Sequence, residues 1–358
     1  MRKLKTFARR LLQFAFALYA RLRQFLSIGS NHNVSQTPET DPSSRQPGNN
    51  RAAKAWSFLT DKELAKRRER LNWSGIALNH QYYNYLVTGD PDLHYLVYFI
   101  KKYIHKPVKA LSLGCGNGHL ERVLAGFHMP YVEIQGMDIN QDLMTYASQE
   151  ADKLGYKNLK YAVADLNNAL LPDKAFDLVI FFHSLHHIEN LEGMLQNVRS
   201  TLTEDGLLLV VDFVGPTRWQ WTDQQIDITQ QLLDILPPEL KINLHNQLFK
   251  ETKKKISRPS IADIIESDPS ESVRSGEILD LLCREFKVLE QKSMGGTILS
   301  LLFDGIAGNF NEQDPVVCSL IKSLQKTEEL LIANQVIQPD YIFMVLTNKI
   351  STTEFNSP

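Results

Sequence analysis

The stretch Ala110-Leu-Ser-Leu-Gly-Cys-Gly-Asn-Gly-His-Leu-Glu121 decides the reading of this chain. A short apolar run stops at three glycines on alternate positions, Gly114, Gly116 and Gly118, and a helical pattern with Leu120, Val123 and Leu124 follows. Glycines directly after a strand let the backbone come close to a ligand, and the next helix offers the positive end of its dipole. A nucleotide-like group is expected there. The dinucleotide spacing G-x-G-x-x-G is not met, because the third glycine comes one residue early and His119 takes its place. Asp138 lies 20 residues beyond Gly118 at the end of the next apolar run, where a carboxylate can accept both hydroxyls of a ribose. An adenosine group fits this spacing.

Outward from the glycines, apolar runs and helical stripes alternate. Strands are predicted over 131–137, 159–164, 176–182 and 207–213, each ending near a polar residue: Asp138, Asp165, His183 and Asp212. The stripe Leu191, Met194, Leu195, Val198 and Leu202 predicts a helix that stops at Gly206. Such alternation predicts an α/β doubly wound, Rossmann-like sheet, with ligands beyond the carboxyl ends of its strands.

At these residues the chain resembles the class I S-adenosylmethionine-dependent methyltransferases. The resemblance rests on GCGNG at 114–118, Asp138, the ADL at 164–166, FDLVIF at 176–181 and SLHHIEN at 184–190, in the family's order over about residues 107 to 214. It implies S-adenosylmethionine as cofactor and a seven-stranded sheet whose last antiparallel pair is 286–290 and 341–347. It further implies that Gly114, Cys115, Gly116, Asn117 and Gly118 border the methionine part, Asp138 with Ile139 the ribose, and Asp165 with Leu166 the adenine, while His183 lines the pocket. One position departs from the pattern: the family has an acidic residue two places before the first glycine, and this chain has Ser112. Glu121 is a candidate to compensate, or a first-turn carboxylate favoured by the helix dipole. Segments outside the sheet, such as VGPTRWQWT and RPSIADIIESDPSESVRSGEI, resemble a bacterial subgroup associated with glycan assembly.

Methyl transfer from a sulfonium chiefly requires alignment, and a hydroxyl acceptor also requires a base. His186 and His187 follow the fourth strand and Asp212 ends the fifth, so these three are the candidate catalytic residues, with a structural part for the His-His pair as the competing reading. Arg218 and Trp219 could hold an anionic group and a sugar ring, and Tyr82 and Arg274 are further acceptor-binding candidates, with packing and surface ion pairing as their alternatives. No metal ligand set is identified.

The rest of the chain bounds the function. With 39 Lys+Arg against 41 Asp+Glu, the net charge of -2 gives no field for coating nucleic acid. The three cysteines, Cys115, Cys283 and Cys318, lack paired spacing, which argues against a disulfide scaffold or structural zinc and fits the cytoplasm. Residues 1–28 form a basic amphipathic pattern, with Leu4, Phe7, Leu11, Phe14, Leu18, Leu22 and Phe25 on one face and no acidic residue. Its ten-residue uncharged run is too short to span a bilayer. It would lie on anionic lipid at the inner face of the membrane or dock on protein, with a transit peptide as a third reading. Residues 29–51 read as a flexible linker, 52–349 as the methyltransferase domain with helical cap segments at 52–106, 214–284 and 291–340, and 350–358 as a tail. The expected activity is methylation of a small-molecule or saccharide acceptor, most readily at oxygen. The alternative is a non-catalytic, cofactor-binding scaffold recruited to a membrane or partner.

Overall fold

The computed structural model describes residues 48–245 and 251–349. The amphipathic segment at 1–28, most of the linker at 29–51 and the tail at 350–358 lie outside the described residues. Among the described residues no helix is long and apolar enough to cross a membrane.

The sheet has seven strands: β1 Val108–Leu113, β2 Tyr131–Asp138, β3 Leu159–Val163, β4 Phe176–Phe182, β5 Leu202–Phe213, β6 Phe286–Ser293 and β7 Tyr341–Asn348. Their spatial order is β3-β2-β1-β4-β5-β7-β6, parallel throughout except for β7, which runs antiparallel to both β5 and β6. This is the doubly wound sheet expected from the alternation of strands and helices, with the seven strands and final antiparallel pair that the family resemblance implied.

The central strands are largely apolar because both faces are covered, and their side chains divide with period two. Leu178 and Ile180 of β4, Leu209 and Val211 of β5, and Phe343 and Val345 of β7 enter one core. Val179 and Phe181, Leu208 and Val210, and Ile342 and Met344 enter the other. At about 1.5–3 kcal/mol for each large side chain withdrawn from water, a slip by one residue would forfeit both layers at once.

The second core is closed by α7 Leu191–Thr201 and α10 Ile278–Glu285, through Leu191, Met194, Leu195, Val198, Ile278, Leu281 and Leu282. In chain order the helices before these are α1 Gly48–Ala55, α2 Lys62–Glu69, α3 Ala77–Thr88, α4 Tyr95–Tyr103, α5 His119–Gly126 and α6 Gln141–Lys153; α8 Asp223–Ile235 and α9 Ile261–Ser267 lie between α7 and α10, and α11 Ile298–Phe303 and α12 Pro315–Ala333 come last. The first core runs on without a break into α8, α11 and α12, through Leu232, Leu233, Leu299, Leu302, Leu320 and Leu324. These helices stand on the sheet as part of its own core. Glu328 ties them down: its buried carboxylate accepts the backbone N–H groups of Gly296 (2.9 Å), Ile298 (2.9 Å) and Leu299 (3.1 Å) at the start of α11.

One boundary differs from the sequence pattern. The apolar stripe continues to Leu202, but α7 stops at Thr201 and Leu202 turns extended to pair with Phe176 at the foot of β4. Strand pairing overrides the helical period there, because a buried Leu202 serves either element and only one of them supplies a ladder partner.

Candidate active site

The polar ends of the strands open into one cavity of about 1210 Å³. Its floor is the glycine loop. The Gly114 and Cys115 N–H groups bond to the Met137 carbonyl at 2.8 and 3.0 Å, and the Gly116 N–H bonds to Asp138 Oδ2 at 2.9 Å. All three glycines have positive φ, +71°, +54° and +73°. They differ in what presses on them. A Cβ on Gly114 would lie 2.5 Å from Ser184 Cβ, and one on Gly118 would lie 2.7 Å from Ala147 Cβ and the Tyr161 hydroxyl, whereas one on Gly116 would meet only a Leu59 methyl at 3.7 Å. The close approach that the sequence demands is therefore made by the protein itself at 114 and 118, and Gly116 is the glycine that opens onto the cavity. Gly118, expected beside a ligand, lies outside the cavity lining, while Gly114, Cys115, Gly116 and Asn117 belong to it.

Asp138, Ile139, Asp165, Leu166 and His183 also line the cavity. Asp138 Oδ1 accepts the Asn140 N–H at 2.9 Å, and burial raises its carboxyl above the ordinary value. Asp165 accepts the Asn167 N–H at 3.1 Å and the Asn168 side-chain amide at 2.8 Å. Burial pushes His183 down to about 4, so its ring is neutral at pH 7. The N-terminal side closes the loop from above: Asn117 donates to the Leu59 carbonyl at 3.2 Å, and Asn140 to the Ala53 carbonyl at 2.5 Å.

Ser112 is buried at the cavity floor and Glu121 is fully buried beside it. Neither Glu121 carboxylate oxygen has a hydrogen-bond partner, and Glu121 is not part of the cavity wall. Burial lifts its carboxyl to about 7, against weaker opposing effects of Ser112 and Arg122.

At the far end of the cavity the two histidines meet a set of carboxylates. Asp212 is fully buried and accepts from the Ser184 N–H (2.9 Å), the Leu185 N–H (2.7 Å), the Phe213 N–H (2.8 Å) and His186 Nδ1 (2.5 Å). Burial alone would lower His186, but the Asp212 charge and hydrogen bond, helped by Glu271 and Asp268, raise it to about 9. His187 is lowered, by burial first and then by the neighbouring His186. The His187 Nδ1 lies 3.0 Å from Ser270 Oγ, whose hydroxyl donates to Asp268 Oδ1 at 2.6 Å. Trp56 packs edge-on against His187 with ring centroids 5.5 Å apart and donates its indole N–H to Asp268 at 2.8 Å.

The backbone around this group is unusual. Among the described residues seven non-glycine residues have positive φ, and His183, Arg218, Trp219 and Ser272 of these four border the site. For non-glycine residues this conformation is costly and persists only where surrounding contacts fix it. Here the fixing contacts are the His183 N–H on the Val211 carbonyl and the Arg218 N–H on the Ser272 carbonyl, both 2.8 Å.

Three expected acceptor-binding residues are placed elsewhere. Tyr82 is buried against α12, with its hydroxyl on the Gln325 carbonyl at 3.2 Å; Tyr83, the next residue on α3, lines the cavity instead. A helix turns about 100° per residue, so only one of the two tyrosines can face inward. Arg218 bonds to the Glu271 carbonyl at 2.8 Å and stands behind the wall, holding the segment that carries Glu271. Arg274 is a surface clamp, bonded through both terminal nitrogens to Glu192 at 2.7 Å and through Nε to Glu277 at 2.9 Å. Trp219 does line the cavity, stacked on Trp221 at 6.3 Å, and Trp221 donates its indole N–H to the buried Asp340 at 2.7 Å. Glu271, Ser270, Asp268 and Trp56 were not identified from the sequence. For Glu271, Ser270 and Asp268 the one signal is the polar ESDPSE run at 266–271, which ordinary surface loops share, and nothing in the sequence marks Trp56.

Residues 104–264 match the family model described as a methyltransferase domain. An uncharacterized methyltransferase of Mycobacterium tuberculosis is 34% identical over 107 residues, 30% of this chain and 51% of that protein. The ubiquinone biosynthesis O-methyltransferase of Glaesserella parasuis is 29% identical over 107 residues, 28% of this chain and 44% of that protein. The chain thus spans about half the length of these curated relatives. Among solved structures, a TehB-like SAM-dependent methyltransferase from Corynebacterium glutamicum aligns with a TM-score of 0.36 at 14% identity, over 71% of this chain and 86% of that one.

Proposed function

Given that residues 104–264 form a class I S-adenosylmethionine-dependent methyltransferase domain, we propose that the chain methylates an enclosed small-molecule or saccharide acceptor at oxygen. The observation that carries this reading is one cavity whose lining includes the glycine loop, Asp138 and Asp165 together with His186, His187 and Trp219. Cofactor and acceptor would share one cavity, which is the condition for alignment.

The residues around the glycine loop suit S-adenosylmethionine. Gly116 leaves open room where a side chain would stand, and Asp138 offers a carboxylate at the edge of that room for ribose hydroxyls. Asp165 and Leu166 can frame the adenine. When bound, the cofactor would supply a methyl group on a sulfonium sulfur for transfer to an acceptor oxygen, and the acceptor's proton would pass to a base at the histidine side of the cavity. The protein's share is to hold the acceptor. Trp219 gives a flat wall on which a sugar ring can stack, and Asp212 orients His186 toward the acceptor end. Oxygen is the acceptor atom in the name of the Glaesserella relative, which agrees with a hydroxyl directed at this polar end.

The test is calorimetric titration with S-adenosylmethionine, S-adenosylhomocysteine and NAD, for wild type and Asp138→Ala. Binding of the two adenosyl compounds but not NAD, abolished in Asp138→Ala, is expected, and an acceptor screen beginning with saccharides follows. Absence of adenosylmethionine binding would refute the reading, and binding without turnover on any acceptor would leave a cofactor-binding scaffold.

A further inference from the structure

We propose that His186, His187 and Glu271 form a binding site for one divalent first-row transition-metal ion at the acceptor end of the cavity. One ligand atom from each of the three residues falls within 4.8 Å of the other two. His186 Nε2 is 3.6 Å from Glu271 Oε1, and His187 Nε2 is 3.9 Å from Glu271 Oε2. Both separations exceed a hydrogen bond. They approach the roughly 3.4 Å between two ligands that each stand about 2.1 Å from a tetrahedral ion.

The hydrogen-bond chemistry fixes which nitrogen of each ring is available. Asp212 is a pure acceptor with four donors around it, so His186 Nδ1 carries the proton that bonds to it. The Ser270 hydroxyl has one hydrogen and gives it to Asp268, so toward His187 it can only accept, and His187 Nδ1 must be the donor. Nδ1 is thereby committed as a donor on both rings and Nε2 is the nitrogen that faces Glu271, free on the neutral His187 and, on His186, carrying a proton favoured by the surrounding carboxylates that a bound ion would displace. Metal-binding histidines are held in this way, with the remote nitrogen donating to a carboxylate or another acceptor. Two independent second partners commit Nδ1 as the donor on adjacent residues. General packing of a His-His turn does not call for that.

The carboxylate ligand is positioned as firmly as the rings. Ser272 Oγ donates to Glu271 Oε1 at 2.8 Å, and Arg218 holds the Glu271 carbonyl at 2.8 Å. Two imidazoles and one carboxylate suit zinc, manganese or iron(II), and three protein ligands leave positions open to the cavity that His186, His187 and Glu271 line. Resting on the methyltransferase reading above, the ion's task would be to bind the acceptor oxygen and ease loss of its proton. Sequence spacing does not announce the site, since Glu271 is 84 positions beyond His187.

The experiment uses the tag-free full chain, stripped with chelator and titrated calorimetrically with Zn²⁺ and Mn²⁺, and with Co²⁺ followed by visible absorption. Wild type is expected to take up one ion per chain and to develop cobalt ligand-field bands. His187→Ala and the isosteric Glu271→Gln, each checked for folding by circular dichroism, should lose affinity by more than the roughly 10- to 100-fold that losing an outer partner costs. No uptake by wild type, or uptake that a folded Glu271→Gln retains in full, overturns the site. S-adenosylmethionine titrated into the same samples separates the two proposals: lost cofactor binding with intact metal uptake counts against the methyltransferase reading alone.

Discussion

Asp212→Asn tests whether the acceptor end of the cavity depends on the direction of a single ring. The substitution keeps the shape of the side chain and turns one oxygen into an NH₂ donor. At the Oδ2 position that donor would face two buried backbone N–H groups, those of Ser184 and Leu185. At the Oδ1 position it would face one, that of Phe213, together with His186 Nδ1, which can give up its proton and accept instead. The second arrangement strands one N–H group and the first strands two. At about 1–3 kcal/mol for each buried group without a partner, the variant is expected to settle in the second and lose about 1–3 kcal/mol of stability. His186 then carries its proton on Nε2, and that atom can neither accept from an acceptor hydroxyl nor bind an ion. Urea denaturation, S-adenosylmethionine titration, metal titration and a methyl-transfer assay on one preparation read the consequences. A modest fall in the denaturation midpoint, unchanged cofactor affinity because Asp212 is not part of the cavity wall, and loss of both metal uptake and transfer are expected. Wild-type metal affinity and transfer in a folded Asp212→Asn would refute the tautomer argument.

Two further perturbations address the other readings. Glu121, raised by burial from 4.5 to about 7, disfavours its charged form in the folded state, so its contribution falls as pH rises from about 4.5 to about 7 and costs up to about 3 kcal/mol above that. Glu121→Gln should therefore raise the melting temperature at pH 8 and flatten its decline over that window; a variant that is less stable and binds S-adenosylmethionine more weakly would show that the charge serves the cofactor in place of an acid at Ser112. Arg274→Ala removes a partly exposed clamp on Glu192 and Glu277 and should cost no more than about 1 kcal/mol with acceptor KM unchanged, and a raised KM would return Arg274 to the acceptor site.

Short-range signals along the chain account for the local part of this protein. The glycines, the polar residue after each apolar run and the alternation of strand and helix periods are set within a few positions of one another, so the sheet, its direction and the ends bearing Gly114, Asp138, Asp165 and His183 can be read along the chain. Tertiary structure decided what depends on distant partners. Tyr82 or Tyr83 faces inward according to how α3 rotates against α12, and Arg218 and Arg274 are arginines that carboxylates or carbonyls elsewhere in the fold could claim before any acceptor. Glu271, Ser270 and Asp268 reach the histidines because the segment before α10 folds back over the turn that follows β4, where the Val273 N–H bonds to the His186 carbonyl at 3.2 Å. A hydrogen bond needs a partner within about 3 Å, whereas periodicity and spacing carry no information about which residue more than eighty positions away will supply it.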